Sequence, residues 1–221
     1  MTGSSLLPAT IHKGKIYFLF GKECRLEDSA KGFSDFGGGI EKGHGIYESA
    51  LREGAEELTG FLGDATQLRK YIKNNQGTYN INHNNEYHVH IFFLPYDANL
   101  PKYYNNNHHF LWKNMNNQYL NKTKLFEKIE IDWFSLEDIQ KRRSEFRSFY
   151  QEITDHFLRE KSQIRSFLQK SNKKQKYTIK KNHIPCKTKT RNKKNISYNT
   201  KTRNKKNISY KTKTRNKTRK T

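Results

Sequence analysis

Arg52, Glu53, Glu56 and Glu57 crowd four charges into one short stretch, closely behind the glycine run Gly37-Gly38-Gly39. On a helix Glu53 faces both Glu56 and Glu57, because side chains three and four apart are neighbours. Like charges so placed cost about 0.2–0.5 kcal/mol per pair, and Gly54 in the same turn costs about 1 kcal/mol relative to Ala. Arg52 returns part of this through Glu48 and Glu56 but does not neutralise the group. A solvated acidic face is the ordinary reading of such a run. The alternative is a bound hard cation: Mg²⁺ or Mn²⁺ takes oxygen ligands, keeps several waters, and joins one or two carboxylates to substrate phosphates. The chemistry this offers is hydrolysis at a phosphoryl group, since a metal polarises phosphoryl oxygens and acidifies a bound water.

The elements that must position these acids are readable around them. Lys15 to Phe20 (KIYFLF) is an aromatic and β-branched run ended by Gly21, which predicts a strand. Phe33 to Phe36 predicts a second strand, stopped by the three glycines. From Ile46 the period changes: Ile46, Ala50, Gly54 and Leu58 recur every four residues as one apolar helical stripe, with Gly60 just past its end. GTYNIN and YHVHIFFL predict two strands joined through His83-Asn84-Asn85-Glu86, with Tyr87, Val89, Ile91 and Phe93 on one face. The Asn-rich stretch 99–121 has no clean period and reads as an insertion. KIEIDWFSLEDI (128–139) predicts a strand through Ile131 and Trp133 that turns at Ser135 into a helix. Phe146, Phe149, Tyr150, Ile153, Phe157, Ile164 and Leu168 then continue as one long amphipathic helix. A helix flanked by strands on both sides predicts mixed α/β packing.

Charge divides the chain. Of 43 Lys and Arg, 23 lie in residues 161–221, which carry no Asp or Glu, whereas all 21 acidic residues lie in 1–160. The net charge of +22 is therefore a property of the C-terminal segment. That segment repeats every twelve residues, KTRNKKNISYNT and KTRNKKNISYKT, and each unit offers only an Ile and a Tyr to a core. A folded domain over 1–169 and a disordered Lys/Arg-rich tail over 170–221 are expected. The tail suits a polyanion such as RNA, or serves only solubility or nuclear import. Cys24 and Cys186 are far apart, without metal-ligand spacing. No signal-peptide grammar is present, and the apolar run Ile91 to Leu94 is too short to span a bilayer, so an intracellular, cytoplasmic protein without membrane attachment is expected.

The stretch Gly38 to Gly60 resembles the Nudix box, the loop-helix signature of the Nudix hydrolases, written G-x5-E-x7-R-E-U-x-E-E-x-G-U with U aliphatic. Gly38 fits the opening glycine, Gly39, Glu41 and Gly43 fit the common GGxxExG, and Arg52, Glu53, Glu56 and Glu57 fall at the required spacing. Three positions depart: His44 replaces the first glutamate, Gly54 replaces an aliphatic residue, and one extra residue precedes Gly60. EIDWFSLEDI is similar to the strand and helix start that often follow in these domains. The resemblance implies the Nudix fold, a mixed β-sheet sandwiched between helices. It also implies hydrolysis of a nucleoside diphosphate linked to some group X, with Mg²⁺ or Mn²⁺ on Glu53, Glu56 and Glu57. By the same resemblance Arg52 holds the glutamates, while Gly38, Gly39 and His44 lie on the substrate side. His44 is either a tolerated replacement or, when protonated, a contact to an anionic substrate.

With the basic tail, one specific expectation is removal of the 5′ cap of RNA. The alternatives are a pyrophosphatase acting on nucleotides or diphosphoinositol polyphosphates, and a catalytically silent RNA-binding protein of the same fold. His88 and His90 are weighed as metal or phosphate ligands against ordinary strand positions. Glu86, Asp97, Glu127 and Glu130 are candidates for a further carboxylate, and Phe33, Phe36, Tyr47 and Trp133 for base stacking against a core role.

Overall fold

A computed structural model describes residues 2–24, 31–120 and 127–182, with the side chains of 117, 120 and 175–182 excepted. The repeats of the basic tail lie outside the described residues. The strands among them are β1 (Gly3–His12), β2 (Lys15–Glu23), β3 (Phe33–Ser34), β4 (Phe36–Gly39), β5 (Thr78–His83), β6 (Tyr87–Phe93) and β7 (Lys128–Ser135). They form one mixed sheet. β1 is its centre: along one edge it runs parallel to β6, and along the other it pairs antiparallel with β4 over Gly3 to Leu6 and with β2 over Ala9 to His12. β7 closes the far edge of β2, and β5 the far edge of β6.

Helices cover both faces, which is why the central strands are apolar on consecutive residues rather than alternating. On one face Leu7, Phe18, Phe20, Ile91 and Phe93 pack with Ile139, Tyr150, Ile153, Phe157, Ile164 and Leu168 of α5 (Leu136–Lys141), α6 (Ser148–Arg159) and α7 (Lys161–Asn182). On the other face Leu6, Leu19, Phe92, Ile131 and Trp133 meet α1 (Ile46–Glu57), α2 (Ala65–Asn74) and α3 (Asn99–Asn114) through Ala50, Leu51, Leu68, Ile72 and Tyr104. A short helix, α4 (Asn117–Leu120), follows. The fold is the mixed sheet sandwiched between helices that the resemblance implies. No described helix is long and apolar enough to cross a membrane.

Several elements differ from the expectation, each for a physical reason. The glycines do not stop a strand: Gly37 to Gly39 are strand β4 itself, paired with Ser5, Ser4 and Gly3. Ile46 begins α1 but is 41% exposed, so the stripe of that helix starts at Ala50. The stretch 99–121 is helical over α3 and α4, anchored by buried Tyr104. The long C-terminal helix is two, broken at Glu160, which lets α6 and α7 both lay apolar residues on the sheet. Phe146 precedes α6 in an isolated bridge to Phe33, while Phe149 points outward at 44% exposure. α7 runs across residue 170, and Ser171 within it is fully buried.

Candidate active site

β4 leads through a turn at Lys42 and Gly43 into α1, and this connection sets the glycines against the acids. Gly38 is where the two meet. A Cβ placed there would stand 2.8 Å from the Glu53 carboxyl carbon, so a side chain at this position would push that carboxylate from its place over the strand. Glu53 is 8% exposed and Glu57 only 4%. Arg52 spans the acids from outside: its guanidinium donates to Glu53, to Glu56 at 3.0 Å and lies 3.0 Å from Glu41. Burial opposes the Arg52 charge, but the three carboxylates outweigh it and hold its pKa above the ordinary arginine value.

Gly54, the residue that disfavours this helix by propensity, has a packing reason. A Cβ there would lie 2.8 Å from Leu6 Cδ1 of the centre strand, so the missing side chain sets how closely α1 approaches the sheet.

A cation does sit among the acids, and it is a lysine. Lys128, at the start of β7, has no exposed surface. Its Nζ donates to Glu23 and to Ser34 Oγ at 2.9 Å, and lies 3.4 Å from Glu57 Oε1. Arg147 donates to the same Glu23 oxygen at 2.8 Å. Behind this group Asp35, 1% exposed, accepts hydrogen bonds from Ser5, from Tyr87 OH at 2.7 Å and from Tyr150 OH at 2.8 Å. Burial pushes the Asp35 carboxyl up, against those three donors. Burial likewise pushes the Glu57 carboxyl well above its ordinary range, against the pull of Lys128, with Glu23, Glu127 and Asp35 adding to the push. For Lys128 burial disfavours the charge, but Glu57 and Glu23 prevail and hold its pKa above the usual lysine value. Part of the relief expected of a bound cation is thus supplied by the chain itself: one oxygen of Glu57 already faces an ammonium.

The other oxygen does not. Glu57 Oε2 is buried with no hydrogen-bond partner. Leaving a buried carboxylate oxygen unsatisfied costs about 1–3 kcal/mol, and a further positive ligand there would recover it. Among the described residues no three His, Cys, Asp or Glu side chains converge as a ready-made metal cluster. Glu53 and Glu57 nevertheless fit a hard divalent ion: both are carboxylates, both are nearly buried, and one offers an unpartnered oxygen. Glu56 is turned into Arg52.

The remaining candidates separate clearly. Gly39 and His44 are exposed, and the His44 backbone N–H donates to the Glu41 carbonyl at 3.0 Å. Glu127 acts on Glu57 through its charge, Glu130 pairs with Lys22 at 3.6 Å, and Asp97 accepts from Asn99 N–H at 2.8 Å. His90 packs edge-on against Tyr47 and bonds Asn80 at 2.8 Å, a strand position and not a ligand pair with His88. Phe33 and Phe36 are fully buried, and Trp133 is 7% exposed with its indole donating to the Asp97 carbonyl, so these three are core.

Lys128, Glu23, Asp35 and Arg147 escape a sequence reading. Alternation along KIEIDW groups Lys128 with Glu130 and Asp132 on a polar side. A register shift between Lys22 and Glu23 opposite breaks the alternation and turns the lysine inward.

No protein-family model matches the chain, and no curated protein matches it. Among solved structures it is similar to a Caenorhabditis elegans Ap4A hydrolase in a binary complex, at 15% identity and TM-score 0.39, over 71% of this chain and 93% of that one. It is similar also to the C. elegans Ap4A hydrolase in a second structure, at 16% identity and TM-score 0.37, over 74% and 98%. Likeness at this level decides neither family nor substrate, and the functional reading rests on the site.

Proposed function

We propose that the chain is a divalent-cation-dependent hydrolase of the Nudix type, cleaving the diphosphate linkage of a nucleoside diphosphate joined to a group X. One observation carries the reading: the buried, unpartnered Oε2 of Glu57, on the helix whose Arg and Glu spacing matches the Nudix box. Glu53 and Glu57 would hold Mg²⁺ or Mn²⁺, with Glu56 beside them. When bound, the ion supplies polarisation of a phosphoryl oxygen and a water acidified for attack.

The chain's own residues do the positioning. Arg52 fixes the rotamers of Glu53 and Glu56 and ties both to Glu41. Lys128 neutralises Glu57 Oε1, which leaves Oε2 as the oxygen available for a cation. Gly38 keeps the strand face flat, so that a diphosphate can approach the Glu53 carboxylate. Arg147, which lines the adjoining cleft, supplies positive charge beside that approach.

Within this reading the finer proposal is removal of the 5′ cap from RNA, supported by the Lys, Arg and Tyr content of the twelve-residue repeats. A substrate panel with Mg²⁺ and Mn²⁺ tests it: capped RNA, dinucleoside polyphosphates, nucleoside diphosphate sugars, oxidised deoxynucleotides and diphosphoinositols. Phosphate release from at least one diphosphate is expected, with Glu57→Gln slower by about a hundredfold or more. Wild-type rates in both Glu56→Gln and Glu57→Gln would reject catalysis by this helix.

A further inference from the structure

Beside the glycine strand lies a cleft of about 390 Å³ whose walls include Gly38, Tyr87, Arg147 and Phe149. It connects to the acids through Arg147, whose Nη1 donates to Glu23, the carboxylate that also binds Lys128. Three features of this cleft bear on the chemistry of a ligand it would hold.

The first is a flat apolar surface. Phe149 is 44% exposed although the neighbouring Phe146 and Tyr150 are core, and the Arg147 guanidinium lies over its ring at 4.8 Å from the centroid. An aromatic ring left in water beside a cleft gains by stacking on a ligand ring. The second is a cation in the wall: the Arg147 guanidinium, held through Nη1 by Glu23, carries the charge that suits a phosphate oxygen. The third is a pair of exposed carboxylates, Glu86 and Glu152, lining the same cleft. Carboxylates only accept hydrogen bonds, so they select a ring that presents donors. Guanine alone among the common bases offers two adjacent donors, its ring N1–H and exocyclic amino group, to a single carboxylate. Adenine and cytosine place an acceptor nitrogen beside the amino group, and uracil flanks its one N–H with carbonyls.

We infer that this cleft seats a guanine base of the substrate, stacked on Phe149, with its donor edge toward Glu86 or Glu152 and its phosphates passing Arg147 and Gly38 toward Glu53. The direction of the phosphates rests on the hydrolase reading, whereas the seat itself is tested by binding alone. Calorimetry on the full-length chain, without divalent ions, compares GDP with ADP. GDP is expected to bind tighter by roughly tenfold, and Phe149→Ala to weaken GDP by about tenfold through lost stacking. The double variant Glu86→Gln/Glu152→Gln is expected to bring GDP down to the level of ADP. All three side chains are exposed, so the variants should keep the wild-type melting temperature. Undetectable GDP binding, equal affinity for GDP and ADP, or an unchanged affinity in Phe149→Ala overturns the seat. Failure of the two readings is distinguishable: guanine preference without turnover on any diphosphate defeats the hydrolase and keeps the seat, and turnover without guanine preference does the reverse.

Discussion

Lys128 holds a charge with no exposed surface between Glu23 and Glu57, and its removal leaves two buried carboxylates facing each other. Breaking a buried pair from one side costs about 3–5 kcal/mol. Lys128→Met is therefore expected to lose about that much in urea denaturation, and Lys128→Met/Glu23→Gln to regain part of it. A single variant within about 1 kcal/mol of wild type would show that the lysine is not the counter-charge described. Glu53, Glu56 and Glu57 were legible in sequence because helical spacing is local and their repulsion visible. Their lysine was not, because it arrives from Lys128 in β7 on a strand whose register slips by one residue. Asp35 was equally hidden: its donors, Ser5, Tyr87 and Tyr150, come from three separate elements.

At the scale of elements, the seating of α1 on β1 depends on an absent side chain. Gly54→Val is expected to destabilise by about 1–3 kcal/mol through overpacking against Leu6, despite its gain in backbone entropy, and Leu6→Ala in the same chain should relieve part of the strain. Thermal melts of the three variants check this. α2 depends on a cap: Asp64 accepts from Gln67 N–H while the Gln67 side chain accepts from Asp64 N–H, so Asp64→Ala should cost about 1 kcal/mol by the same measurement. That D-x-x-Q pattern was a readable signal for a helix the apolar spacing alone did not announce. β1 was harder to see. Its residues GSSLLPATIH include two serines and Pro8, which argue against a central strand, yet Ser4 and Ser5 are fully buried there. By contrast the strand-to-helix turn at Ser135 was legible, because its capping box with Asp138 is written in adjacent residues.

For the whole molecule, two buried imidazoles give stability a pH dependence. Burial lowers both His90 and His108 from 6.5 to about 4, with His88 and His109 adding to the effect. Both groups are thus neutral in the fold and charged in the unfolded chain over that interval. Their contribution is complete above pH 6.5 and is lost as pH falls from about 6.5 to about 4, by up to about 3 kcal/mol per histidine. The raised carboxyls of Asp35 and Glu57 act in the opposite direction, so the histidine share is isolated by a variant. The stability gap between wild type and His90→Gln should narrow as pH falls through that window in urea titrations; a gap independent of pH would place the charge change elsewhere. The basic repeats give a separate expectation. On the proposal of cap removal, deleting residues 183–221 should abolish activity on capped RNA and leave rates on free nucleotides nearly unchanged.

The shared edge of β1 bears on how the chain refolds. Gly3 pairs with Tyr87, and Phe18, beside Ala9 at the other end, also pairs with Phe134, so the centre of the sheet is completed only by segments distant along the chain. Closing such long loops precedes any gain from the contacts they make, which slows barrier crossing. Until then an apolar ribbon of β1 is open to pairing with other chains, and dilution from denaturant at high protein concentration should favour association over recovery.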